Sequence, residues 1–441
     1  MAMRWRRLGP NRADQASRYG SRTTLHIRPR VYIRGRDIAV IGGGIGGPAC
    51  AIGLAQNGHN VTLYERASSL ESVGFAFRIT PDSDLCLKYL GIDTMDGGAV
   101  VANTSRMMDY KGNVIFENKE NTDSEKAKKG SSVFAYRPHL QQQLLDRAKE
   151  CGVRLETGVK VLDVDVDEGS ISLENGSKAT ADLIVAADGV HSLVRPHIVD
   201  SKKYFPKVST GHGCLRFTIP KKPVLEDPRA SQIVSDDFRM VSMRGNDRAI
   251  IVYPVDYDTQ FNFTCTHPEK LSRAATEGGD LAEAVAYNHK ISPEMVLEMY
   301  KEFDQRAIRF LELADPHGFR VWKLVDMDEI PRWSAKRTVL LGDACHPVLP
   351  FGFSGASMAI EDATTLAALL PKDVGVEQVR ERLDLYEQIR RPRVERVRES
   401  SREIARGREE KQFITEYRAF LTEHDTVECA RRAVDEHFGK E

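Results

Sequence analysis

From Asp37 onward the chain alternates between short, wholly apolar runs and longer amphipathic ones, a pattern that predicts alternating strands and helices. Residues 38–42 (IAVIG) are β-branched and uncharged, as a buried parallel strand requires. Gly46 to Gln56 carries apolar residues at helical spacing (Ala49, Ile52, Ala55), and VTLYE at 61–65 reads as a second strand, so the start is a βαβ unit. Helices are expected over Asp82–Leu90 and Pro138–Cys151, the latter with proline in its first turn. Short strands broken by Gly and Asn fill 153–180, and ADLIVAADG (181–189) supplies another buried strand. Strands follow at CLRFTIP (214–220), AIIVYPV (249–255) and QFNFTCT (260–266), and this stretch is the best candidate for a second, sheet-based domain. RTVLLGDA (337–344) is one more buried strand, and a helix begins at Ser357. Val376–Glu441 is charged and helical, with Pro392 as its one strong breaker.

A chain of 441 residues, 41% hydrophobic and 29% charged, has enough apolar surface for more than one core, which excludes a disordered or fibrous protein. The formal charge is -1, so no overall basic field points to nucleic acid. Residues 1–36 depart from that balance, with ten Arg and a single acid, Asp14. Their composition suits a disordered extension first and a mitochondrial presequence second. No apolar run reaches the roughly 18 residues of a spanning helix. Seven scattered cysteines without a C-x-x-C pair argue against a disulfide framework and a structural zinc site, so a reducing, cytoplasmic setting is expected and no metal is assigned.

Three separated motifs carry the chemistry. Gly42, Gly44 and Gly47 satisfy G-x-G-x-x-G between a strand and a helix, with Glu65 closing the next strand 21 residues after Gly44. That arrangement suits a dinucleotide: a tight turn, a close approach to pyrophosphate, and a carboxylate for ribose hydroxyls. An acid there disfavours a 2′-phosphate, so FAD or NAD fits better than NADP. The second motif is Asp188-Gly189 followed by Arg195, and the third is Gly342-Asp343 at the end of a strand. Read alone, each of these two is a strand-terminal turn.

Together, in this order and spacing, the three motifs resemble those of the FAD-dependent aromatic hydroxylases, flavoprotein monooxygenases of the p-hydroxybenzoate and salicylate hydroxylase type. The resemblance spans about residues 37 to 390. It implies an α/β fold with a discontinuous Rossmann-type FAD-binding domain (37–80, 130–200 and 320–370), an inserted mainly β substrate domain (81–129 and 201–319) and C-terminal helices (371–441) after a disordered tail (1–36). It also implies that Gly42, Gly44, Gly47 and Glu65, with Arg66 beside them, hold the ADP part of FAD. Asp188 and Arg195 serve FAD and the nicotinamide, Asp343 the ribityl chain, and Arg137 in Tyr136-Arg137-Pro138 the phosphates. Gly355 and Ala356 belong to the loop and helix start beneath the flavin ring. Here the sequence departs from the family pattern: the usual Gly-Gln-Gly is Phe353-Ser354-Gly355, and the usual Asn is Ser357.

Only one dinucleotide fingerprint exists, so NADPH or NADH is expected to bind transiently. The implied reaction is hydroxylation of an electron-rich phenolic or heteroaromatic molecule, in secondary metabolism, by O2 through a flavin C4a-hydroperoxide. Arg216 and Tyr253 are the candidate catalytic residues, one as a charge partner for a phenolate or carboxylate and the other as a proton relay. Sheet-face packing is the competing reading for both. His346 is expected to be structural. The alternatives are an FAD-dependent reductase of the same fold that transfers no oxygen, and a non-catalytic FAD-binding protein.

Overall fold

The computed structural model describes residues 35–68, 75–119, 130–200, 203–235, 237–273, 289–408 and 410–439. The Arg-rich tail therefore lies outside the described residues as far as residue 34. The βαβ unit forms from β1 (Asp37–Ile41), α1 (Gly46–Gln56) and β2 (Asn60–Glu65), with β1 and β2 parallel. It extends into a six-stranded sheet of order β19 (Ser334–Ala335), β20 (Thr338–Leu340), β12 (Leu183–Ala186), β1, β2 and β8 (Arg154–Thr157). The three motifs thus end three neighbouring strands, β1, β12 and β20, which pair in parallel. Their loops leave from the same edge, the place where α/β sheets bind ligands.

Apolar residues surround α1 on every side, because it is sandwiched between the sheet and α9 (Gly355–Leu369). The approach is close enough that a Cβ on Gly53 would lie 2.6 Å from the Cβ of Ala367. Helix α3 (Arg137–Glu150) follows β7 (Val133–Tyr136), which joins β3 (Ala76–Ile79) and β4 (Val100–Val101) in a small sheet. A three-stranded sheet of β9 (Val161–Asp165), β10 (Ser170–Leu173) and β11 (Lys178–Thr180) packs Val161, Val164, Ile171 and Leu173 into the cofactor-side core.

The second large sheet has eight strands: β17 (His289–Lys290), β18 (Arg320–Asp326), β13 (Lys207–Pro220), β16 (Gln260–Pro268), β15 (Ala249–Val255), β14 (Met240–Arg244), β5 (Thr104–Asp109) and β6 (Val114–Lys119). Alternation along its strands gives it two unlike faces. Leu215, Phe217 and Ile219 of β13, with Phe261, Phe263 and Cys265 of β16, build a core against α7 (Pro293–Tyr300) and α8 (Gln305–Leu313). The intervening residues Cys214, Arg216, Asn262 and Thr264, with Tyr253 of β15, take the other face, where Asn262 Oδ1 accepts the Ala76 N–H at 3.1 Å. Short helices α4 (Arg195–Ile198), α5 (Lys221–Glu226) and α6 (Glu269–Arg273) complete the connections.

Two segments sit across the expected domain boundaries. Helix α2 (Pro81–Tyr89) buries Cys86 and Leu87 in the cofactor-side core beside α9, although 81–129 was expected with the substrate sheet. Strand β18, expected on the cofactor side, pairs with β13. The C-terminal part is α10 (Val379–Ala405), α11 (Lys411–Thr422) and α12 (Thr426–Phe438). Pro392 does not break α10. On either side of it Arg390 and Arg393 are anchored to Asp362 and Glu361 of α9, and these buried ion pairs hold the helix through the missing N–H.

Candidate active site

Gly42 leaves β1 at φ +109°, and a Cβ there would lie 2.3 Å from the Ala187 carbonyl oxygen. A Cβ on Gly47 would lie 1.9 Å from the Gly42 carbonyl oxygen, so both glycines are demanded by the protein's own packing. Gly44 is different: nothing stands within 4 Å of where its Cβ would be, and it borders the cavity. Glu65 binds the turn from the next strand, accepting the Gly43 N–H at 2.6 Å and the Ala67 N–H at 2.8 Å. Gln141 on α3 donates to the Gly43 carbonyl, while its Oε1 is buried without a partner. Its place one helical turn after Arg137, on the same face, is the signal that sequence reasoning passed over.

Two chambers adjoin along this edge. The first, about 510 Å³, is bordered by Gly42, Glu65, Arg66, Gln141, Asp188 and His191. The second, about 380 Å³, is bordered by Asp343, Phe77, Phe353, Gly355, Ala356 and Arg216. Gly44, Arg137, Ala187 and Gly189 border both. Arg137 thus stands at the junction. Burial lowers its pKa while Asp343 and Glu65 raise it, and the guanidinium makes no hydrogen bond or ion pair among the described residues.

The other two motifs are joined by Arg195. It donates to the carbonyls of Ala344 at 2.7 Å, Val190 at 2.9 Å and Asp343 at 3.1 Å, so it fixes one loop on the other. Asp188 accepts the N–H groups of Leu193 and Val194 through Oδ2, while its Oδ1 is buried and unpartnered. Asp343 turns its carboxylate into the second chamber. Enclosure by protein pushes its pKa up, and His346, Arg195 and Arg137 oppose that shift. His346 itself is buried against Asp362 at 2.6 Å. Burial pushes the Asp362 carboxyl up, but His346 and Arg390 outweigh it and hold the pKa down at about 2.

Phe353 takes a left-handed conformation at φ +56°, bordering the second chamber and packing beside Tyr253. Ser357 is wholly buried and faces away, accepting the Thr80 N–H at 3.2 Å. Arg216 reaches the chamber with its guanidinium 6.0 Å from the centre of the Phe75 ring. Tyr253 does not border either chamber. It is 1% exposed, stacks on Phe134 at 4.2 Å and donates to the Ala76 carbonyl at 3.0 Å, and burial pushes its phenol pKa up. The strands carrying Arg216 and Tyr253 are not neighbours either, since β16 runs between them.

Asp82, Glu361 and His424 offer ligand atoms within 4.8 Å of one another. Arg390 and Arg393 already bind both oxygens of Glu361, and their charge opposes a cation there. The chambers instead suit a long molecule with a central anion. Arg137 is a guanidinium awaiting oxygen acceptors, Gly44 leaves room for a close backbone approach, and Asp188 Oδ1 and Gln141 Oε1 are acceptors awaiting hydroxyl or amino donors. FAD supplies all of these: a diphosphate for Arg137, an adenosine for the first chamber, and a ribityl chain and ring for the second.

A sequence family described as "FAD binding domain" matches residues 36–401. The chain belongs to this FAD-binding family. Hispidin-3-hydroxylase from Neonothopanus nambi is 28% identical over 384 residues, covering 83% of this chain and 88% of the relative. The 3-hydroxybenzoate 6-hydroxylase of Klebsiella oxytoca is 27% identical over 373 residues, covering 83% and 87%. In three dimensions the chain is similar to CtdE, solved with FAD and a substrate, at TM-score 0.77 and 20% identity over 91% of this chain and 98% of that one. This FAD-binding protein is a flavoprotein monooxygenase of the aromatic hydroxylase type. Among its described residues no helix is long and apolar enough to cross a membrane.

Proposed function

We propose that the protein uses NADPH or NADH, bound transiently, and O2 to hydroxylate a small phenolic or heteroaromatic molecule. Bound FAD supplies the redox chemistry, taking two electrons from the nicotinamide and activating O2, so that one oxygen atom enters the ring and the other leaves as water. The protein's own residues hold, orient and exclude. Arg137 pairs with the diphosphate, Asp343 accepts from the ribityl hydroxyls, and Glu65 with Arg66 borders the adenosine end. Phe77, Phe353, Val348 and Pro350 wall the second chamber with apolar surface and limit water, which protects an oxygen-transfer step.

The observation that carries this reading is Arg216. It is a cation at the chamber wall on the substrate-sheet side, and no carboxylate pairs with it among the described residues. An anionic oxygen on the aromatic substrate would complete it, and a phenolate is the form of a phenol most reactive toward oxygen transfer. A relative named for 3-hydroxybenzoate supports an aromatic substrate bearing a hydroxyl. Tyr253, committed to a backbone carbonyl, is better suited to holding the sheet against β3 than to moving a proton.

The test is oxidation of NADPH and NADH by the purified yellow protein against a panel of phenols and heteroaromatics, with oxygen uptake and hydrogen peroxide recorded together. Stimulation by an aromatic with little peroxide supports the reading. Oxidation that no aromatic stimulates, or that ends wholly in peroxide, sinks it in favour of a reductase. Arg216→Ala should keep its flavin and lose the stimulation; undiminished stimulation removes Arg216 from the site.

A further inference from the structure

Ser354 stands at the N-cap position of α9, where a serine ordinarily accepts an N–H from the first helical turn. It makes no such bond. Its hydroxyl donates to the Gly352 carbonyl at 2.8 Å and lies 3.5 Å from the hydroxyl of Tyr417, which α11 contributes. Ser354 is 1% exposed and Tyr417 4%, so no bulk water competes. The fit is tight, since a Cβ on Gly352 would lie 2.3 Å from the tyrosine oxygen. One residue on, Phe353 is held left-handed, and Ser401 of α10 donates to the Leu349 carbonyl. The C-terminal helices therefore grip the loop that edges the second chamber, at the place where Phe353-Ser354-Gly355 replaces the expected Gly-Gln-Gly.

We propose that Tyr417 is a positioning residue for the flavin. Its hydroxyl, together with the Gly352 carbonyl, keeps Ser354 out of the capping rotamer, so the first-turn N–H groups at Gly355 and Ala356, which border the chamber, stay free to face the negative charge that a reduced flavin carries. Without the tyrosine hydroxyl, Ser354 is freer to turn and cap α9, where it competes for the Ala356 N–H. This inference rests on the flavin ring lying over the start of α9.

Tyr417→Phe keeps the ring and removes the hydroxyl. In the holoenzyme it should shift the two-electron reduction equilibrium toward oxidised flavin by about fivefold, the worth of one helix cap, or about 20 mV in midpoint potential. Ser354→Ala, which has no capping oxygen, should show no such fall, and adding Tyr417→Phe to it should change nothing further. A tyrosine that serves packing alone would lower the melting temperature equally in both backgrounds and leave the potential unmoved, and that result overturns the proposal. Ala356→Pro separates the two layers of the argument, because proline is tolerated in a first turn and deletes one N–H. If that variant leaves the potential unmoved, the ring does not lie over α9 and the underlying reading fails. If it lowers the potential while Tyr417→Phe does not, the reading stands and the role of Tyr417 is lost.

Discussion

The protein holds two groups of charge, one buried between helices and one lining the chambers, and they are finished differently. Between α9 and α10, Arg390 binds Asp362 at 2.7 Å and Glu361 at 2.9 Å, Arg393 binds Glu361 again, and His346 closes the set on Asp362. Around the two chambers, Arg137 has no hydrogen-bond or ion-pair partner among the described residues, Asp188 keeps one oxygen bare, and Asp343 faces the lumen. A folded chain leaves buried charge incomplete at a cost, so incompleteness of this kind marks where a ligand belongs, and completeness marks a strut. Charge alone does not distinguish a binding site from a scaffold; the inventory of missing partners does.

The largest effect expected from breaking this contrast lies in the completed group. Arg390→Met should leave Glu361 to Arg393 alone and Asp362 to His346 alone, and cost about 3 kcal/mol in denaturant unfolding. A loss under about 1 kcal/mol would mean that the cluster is no strut. Next, Arg137→Met should raise the dissociation constant for FAD by about 30-fold, near 2 kcal/mol, while leaving the apoprotein as stable or more so. Flavin fluorescence titration and thermal unfolding of the apoprotein check the two halves of that statement.

Asp82 sharpens the comparison through pH. Burial, then Glu361, pushes its carboxyl up to about 7 despite two bonds from Thr426. The folded state therefore holds a proton that the unfolded chain releases near 4. The stability tied to that proton is full below about pH 4 and is lost as pH rises through 7. Glu361 and Asp362, both held at about 2, behave in the opposite sense, contributing above their unfolded values and failing as pH falls toward 2. Asp82→Asn should flatten the loss between pH 5 and 8 and stabilise the protein at pH 8 by about 2 kcal/mol. An unchanged profile would place the proton elsewhere. Smallest of all, Tyr253→Phe should cost about 1 kcal/mol by leaving the Ala76 carbonyl short of a donor, with nicotinamide oxidation kept at the parent rate. A large fall in that rate would return Tyr253 to the chemistry.

What was legible in the sequence was local. Each of the three motifs ends a strand, so Gly44, Asp188 and Asp343 could be named one at a time as candidates, and the sheet brings them to adjoining chamber walls through β1, β12 and β20. Partners distant in sequence were not legible. Tyr417 meets Ser354 across 63 residues, and Arg390 meets Asp362 across 28, with nothing local in either segment to announce the pairing. Arg216 and Tyr253 were named together as catalytic candidates, but strand order, which puts β16 between their strands, is a non-local property. Pro392 misled for the same reason, since a local breaker was overruled by ion pairs from another helix.

Strand β13 has a consequence for how such a protein can diverge. Alternate residues belong to different problems: Leu215, Phe217 and Ile219 maintain the folded core, while Arg216, on the opposite face, borders the second chamber. A substitution at Arg216 therefore alters the chamber wall while Leu215, Phe217 and Ile219 keep the core on the other face. A lineage built on such a strand can exchange substrates without passing through unstable ancestors.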